Sequence, residues 1–112
     1  MNILMGNIDM KDKKAVYRMT KSESVQVKDL ERGTSLPVDR WCLYEEENSR
    51  GELQQVLSFT SGTMKISTIS KTFVRSFLEC AELMDGDPFS VIITGGETKS
   101  GRPFVNCELD CD

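Results

Sequence analysis

The stretch VLSFTSGTMKISTISKTFVRSFLECAELMDGDPFSVIITGGETKSGRPFVNCEL, residues 56 to 109, decides the fold. At its centre is a helix signal. Ser70 stands as an N-cap ahead of residues 71 to 84. Phe73, Phe77, Cys80, Ala81 and Met84 recur at spacings of three and four, so one stripe is apolar, and Val74, Leu78 and Leu83 widen it. Lys71, Arg75, Glu79 and Glu82 fall on the opposite side, with Arg75 and Glu79 one helical turn apart. Asp85-Gly86-Asp87-Pro88 closes the helix: Gly86 suits a left-handed cap, and Pro88 forbids continuation.

Both flanks switch to a period of two. Leu53, Gln55, Leu57 and Phe59 alternate with Gln54, Val56 and Ser58. Gly62 then provides a tight turn into Met64 to Thr68. Beyond the helix, Phe89 to Thr94 is rich in β-branched residues. Gly95-Gly96 permits a bulge or the close approach of another backbone. Lys99-Ser100-Gly101-Arg102 is a hairpin tip, and Phe104 to Leu109 returns. Upstream, Val38 to Tyr44 carries Trp41 and Tyr44 and reads as a strand, with the polar run Glu45 to Gly51 as a hairpin loop. The order β-β-β-α-β-β over residues 37 to 109 predicts a mainly β protein with one α-helix, an OB-like small antiparallel barrel.

Residues 1 to 36 read as an N-terminal extension with one or two strands. Met1 to Lys14 is expected to be a mobile arm or a weak edge strand. Ala15 to Thr20 alternates, as does Ser24 to Lys28, and both predict strands. Asp29 to Leu36 leads through Gly33 into Pro37, which predicts a loop and excludes a central strand there. Residues 110 to 112 form a tail. At 112 residues the chain has room for one core and one domain.

Chemistry is limited by what is missing. With no His, the commonest general base and metal ligand is gone, and no Ser or Cys has a base partner in sight, so no catalysis is expected. The four cysteines contain one close pair, Cys107 and Cys111, where a structural zinc site usually shows two. No metal or cofactor is expected, and Cys42, Cys80 and Cys107 read as small buried hydrophobes. Gly95-Gly96 with Lys99-Ser100 lacks the spacing of a phosphate loop and precedes a strand. No apolar run nears the ~20 residues of a membrane span, and Met1 to Met10 has no leader-like core. A cytoplasmic protein with reduced thiols is therefore expected, without a membrane partner.

What remains is surface chemistry. The net charge of −4 counts against polynucleotide binding unless the cations are grouped. Glu45, Glu46, Glu47 and Glu52 crowd one hairpin tip, whereas Lys65, Lys71, Lys99 and Arg102 lie in the second half, where a basic groove could form. A single-strand binder needs exposed rings for bases and cations for phosphates. The candidates are the rings of Tyr44 and Phe104 and the cations Arg40, Lys65, Lys71, Lys99 and Arg102. Arg40 and Trp41 are neighbours on a strand and project to opposite faces. Lys71 occupies a helix's first turn, where the macrodipole disfavours a cation, and this conflict marks it for phosphate contact.

The series Ile69-Ser70-Lys71-Thr72, Phe89-Ser90-Val91, Gly96 and Lys99-Ser100-Gly101 leading into Phe104 and Leu109 resembles the single-stranded DNA-binding proteins of small tailed bacteriophages that replicate by protein priming. The resemblance covers the second half of the chain. It implies a viral replication protein of the host cytoplasm that coats displaced single strands, shields them from nucleases and melts their secondary structure. Single-stranded DNA is the partner it implies; a homo-oligomer or a host protein is left open. The alternative from another class is a small acidic adaptor that imitates DNA and inhibits a host protein.

Overall fold

Ser70 caps the longer helix, α2 (Lys71–Met84), its hydroxyl accepting from the Phe73 N–H at 3.3 Å. The computed structural model describes residues 1 to 112 and is mainly β, in two sheets. The larger sheet has the order β1 (Asn2–Gly6), β4 (Arg40–Glu47), β5 (Leu53–Ser61), β6 (Met64–Thr68) and β2 (Val25–Gln26). The smaller has the order β3 (Ser35–Val38), β7 (Phe89–Glu97) and β8 (Pro103–Leu109). All pairings are antiparallel except β2 with β6.

Only Asp39 separates β3 from β4, so one extended run passes from the small sheet to the large one. Asp39 fixes the corner through both its groups. Its N–H donates to the Thr60 carbonyl at 2.9 Å, and its carboxylate accepts from Gly62 N–H at 2.8 Å. Gly62 itself takes φ 61°, the positive value this hairpin turn demands.

The core lies between the sheets and under α2. Phe73 and Phe77 are fully buried and meet Phe59 of β5. Phe77 also receives Trp41 and Phe89 edge-on, at centroid distances of 5.6 and 5.8 Å. One ring of α2 thus contacts both sheets, each aromatic pair adding about 0.5–1.5 kcal/mol beyond area burial. Trp41 is accordingly a half-buried core anchor.

Several expectations are corrected. The barrel is not closed: the small sheet and the large one do not join through a β6–β8 ladder. The reason is visible in the N-terminal segment. β2 takes the free edge of β6, and a single 3-10 turn, Val27–Asp29, packs against both β6 and β8. Val27 is 2% exposed and belongs to the main core, so it fills the space where the two strands would meet.

There are two α-helices, not one. Ala15 to Thr20, expected as a strand, lies in α1 (Lys13–Thr20). Asp12 is its N-cap and accepts from the N–H groups of Lys14 and Ala15. Ser24 to Lys28 yields only two strand residues before the 3-10 turn. The loop expected before Pro37 is partly strand: Pro37 sits in β3, an edge strand, where its missing N–H is tolerated. β4 runs on to Glu47, shortening the loop expected from Glu45. The left-handed cap of α2 is Asp85, at φ 45°, with Gly86 following at φ 90°. Met1 to Lys14 includes β1, the edge strand that was one of its two expected forms.

Candidate nucleic-acid interface

Strand alternation puts Arg40, Cys42 and Tyr44 on one face of β4, and Trp41 and Leu43 on the core face. The first of these faces is not open. α1 lies over it, and Met19, Cys42, Tyr44 and Val56 form a second buried cluster. Tyr44 is only 4% exposed, and its hydroxyl donates to the Thr20 carbonyl at 3.3 Å. Burial raises its phenol above the usual range. Tyr44 is therefore corrected from an exposed stacking ring to the floor beneath a helix.

Arg40 and Lys65 do come together. Arg40 pairs with Thr60, which pairs with Lys65, so the three stand in one row across β4, β5 and β6. With Arg18 they line a groove of ≈ 730 Å³ beside α1. Asp9, Asp12, Glu23 and Asp39 line it too, four carboxylates against three cations, so it offers phosphate no net attraction. Lys65 is also committed. Its ammonium donates to the Ser22 carbonyl at 2.8 Å, and burial lowers its pKa below the usual lysine value.

Lys71 lies apart from this pair. It is exposed in the first turn of α2 and shares a second groove with Arg75, Glu45, Leu53, Ile69 and Leu78. Leu53 and Ile69 are well exposed there, so this site is as much apolar as basic.

The remaining three expected residues share one element, the β7–β8 hairpin. Its tip is set by Thr98, whose N–H donates to the Arg102 carbonyl and whose carbonyl accepts from Gly101 N–H, both at 2.9 Å. Gly101 adopts φ 81°, which a side chain would strain. Lys99 and Arg102 are exposed at this tip. Phe104, 40% exposed, pairs with Gly96, and its ring carbons come within 3.4 Å of where a Gly96 Cβ would stand. The glycine thus leaves room for the ring, which stays partly open to solvent. Arg32 comes in from the other end of the sequence: its guanidinium donates to the Phe104 carbonyl at 3.4 Å and to the Leu30 carbonyl at 3.3 Å. Arg32 reaches the hairpin at Gly95, so it lies on the opposite face of β7 from Gly96 and the Phe104 ring. Two cations, Lys99 and Arg102, and a half-exposed ring share the hairpin, with Glu97 its one carboxylate between Thr94 and Cys107.

Sequence reasoning missed Arg32, and no local signal reveals it, since it meets Phe104 across 72 residues. It also missed the exposed side of α1, where Lys13, Lys14, Tyr17 and Arg18 lie together. A signal existed: Asp12 followed by Lys-Lys-Ala is an N-cap pattern. No group of three or more Cys, Asp or Glu side chains is arranged to hold a metal ion, and no helix is long and apolar enough to cross a membrane. Comparison with protein-family models, curated proteins and solved structures returns no match.

Proposed function

We propose that the chain binds single-stranded DNA without sequence preference and coats it during phage replication, as the resemblance of its second half implies. The observation that carries this reading is the β7–β8 hairpin, where the part-exposed Phe104 ring shares one element with the exposed cations Lys99 and Arg102. A ring for a base and cations for the neighbouring phosphates are the parts such binding needs. The architecture supports it as well. A meander β4–β5–β6, then α2, then a β7–β8 hairpin is the strand order of an OB-type domain, and the run through Asp39 serves both sheets as the first strand of such a domain does.

The test is titration of a labelled oligo-dT by fluorescence anisotropy over a range of salt. The two hairpin cations contribute roughly −1.4 to the log–log slope for a single strand, at about 0.7 for each phosphate contact. Phe104→Ala is expected to lose ~1–3 kcal/mol of binding, the value of one stacked base. Absence of binding by the wild-type chain, or full binding by Phe104→Ala and by Lys99→Ala/Arg102→Ala, refutes the hairpin site. Tight binding to a host protein with no affinity for oligo-dT supports the acidic-adaptor reading, for which the Glu45, Glu46, Glu47 and Glu52 cluster is the natural surface.

A further inference from the structure

We propose that the solvent face of α1 is a second polynucleotide-binding surface, on which Lys13, Lys14 and Arg18 meet phosphates and the Tyr17 ring stacks on a base. The inference rests on the single-strand reading above and extends it to a part of the chain outside the resemblance.

Charge placement is the first support. Residues 11 to 21 hold Lys11, Lys13, Lys14, Arg18 and Lys21 against one carboxylate, Asp12. The other residues hold nine cations against 17 carboxylates. Residues 11 to 21 therefore carry a net charge of +4 in a chain of net −4. Asp12 is spent on capping, so its charge is turned to the helix N–H groups.

The ring is the second. Tyr17 is 65% exposed, although α1 is already fastened without it. Met19 and Thr20 are buried beneath the helix, Tyr44 holds its last turn, and Lys65 holds Ser22 just beyond. Tyr17 lies one turn beyond Lys13 and one turn before Lys21, with Lys14 and Arg18 forming the adjacent row. Lys13, Lys14, Tyr17, Arg18 and Ser22 line a shallow concavity rather than a convex ridge.

The helix itself supplies the third. Its first turn contains no acidic residue and begins with two lysines, against the macrodipole. A sequence selected only to stabilise this helix would place acids there. Cations kept in that place serve something outside the fold. A phosphate chain fits both the sign of the charge and the presence of a ring.

The experiment uses oligo-dT titrations of the full chain with Tyr17→Ala, Tyr17→Trp and the triple variant Lys13→Gln/Lys14→Gln/Arg18→Gln. All four side chains are exposed, so the variants are expected to fold, as circular dichroism and thermal melting will check. The triple variant should flatten the log–log salt slope by about 2, at roughly 0.7 for each phosphate left without its cation. Tyr17→Ala should weaken binding by about 5- to 100-fold, and Tyr17→Trp should retain or strengthen it. Oligo-dT binding that depends on Phe104 but is untouched by every α1 variant overturns this inference and leaves the single-strand reading intact. Loss of self-association by the α1 variants in sedimentation, with affinity for oligo-dT unchanged, also overturns it. No binding by the wild-type chain defeats both.

Discussion

The hydroxyl of Tyr44 donates to the main-chain carbonyl of Thr20 across 3.3 Å, which joins the last turn of α1 to the outer face of the large sheet. Around this bond Met19, Cys42 and Val56 are closed off from solvent, so the contact sits inside an apolar cluster. Tyr44→Phe keeps the packing and leaves the Thr20 carbonyl short of one donor, which should cost about 1 kcal/mol. Tyr44→Ala also opens a cavity and should cost ~3–5 kcal/mol. Urea unfolding separates the two. Tyr44→Phe should leave DNA affinity unaltered, because the ring has no open face; a loss of affinity in a variant of unchanged stability would restore Tyr44 as a stacking residue.

Gly95 is the tightest point of the hairpin. A Cβ added there would stand inside contact distance of the Phe104 carbonyl oxygen and 2.5 Å from Arg32 Nε. The carbonyl belongs to the β8 main chain and cannot swing aside, so Gly95→Ala should destabilise by ~1–3 kcal/mol and disturb the seat of Phe104. Gly96→Ala meets only the Phe104 ring, at 3.4 Å, and a ring can turn. Its effect should stay near ~0.5 kcal/mol. Equal melting temperatures for the two variants would show that the close approach at Gly95 is not a constraint.

How far the sequence reveals this molecule depends on the range of the signals. α2, its Ser70 cap and the three hairpins follow from local periodicity and turn chemistry, and they stand as expected. α1 does not, because Ala15 to Thr20 alternates over six residues, too short a window to separate periods of two and 3.6. The same residues satisfy the helical spacing, with Ala15 and Val16 half-buried ahead of Met19 and Thr20 by one turn. From that one misreading follow two others. Tyr44 reads as exposed because alternation assigns faces but does not say what covers them, and a strand over Ala15 to Thr20 puts Tyr17 and Arg18 on opposite faces, whereas the helix brings them together with Lys13 and Lys14. The gap between β6 and β8 is likewise a long-range result, set by where Val27 packs.

Val27 should therefore matter more than its position in a short, irregular segment suggests. It is 2% exposed and shares the main core with Ile66, Val91 and Cys107. Val27→Ala removes two methyl groups from between β6 and β8 and should cost about 2 kcal/mol. Val25→Ala, at an exposed position on β2, should cost far less. Denaturant unfolding distinguishes them. A neutral Val27→Ala would mean that the packing of the 3-10 turn between β6 and β8 adds nothing to the fold.

Alkaline pH should weaken the fold through two buried thiols. Burial pushes Cys107 up to about 12 and Cys42 up to about 11, against 9.0 for a free cysteine. Between these values the unfolded chain releases a thiol proton that the folded chain retains, so unfolding becomes easier as pH rises. The contribution of each thiol is complete below pH 9.0 and is lost as pH climbs toward 11 for Cys42 and 12 for Cys107. Each thiol should steepen the fall by about 1.4 kcal/mol per pH unit within its window. Cys107→Ala should be less stable than wild type at neutral pH and show the shallower decline above about pH 9.5, so the two curves converge. Thiol titration gives an independent reading at neutral pH: Cys111, the one exposed cysteine, should react in the native protein, and Cys42, Cys80 and Cys107 only on unfolding. Parallel stability curves for wild type and Cys107→Ala, together with rapid labelling of all four thiols, would show that both buried clusters admit water.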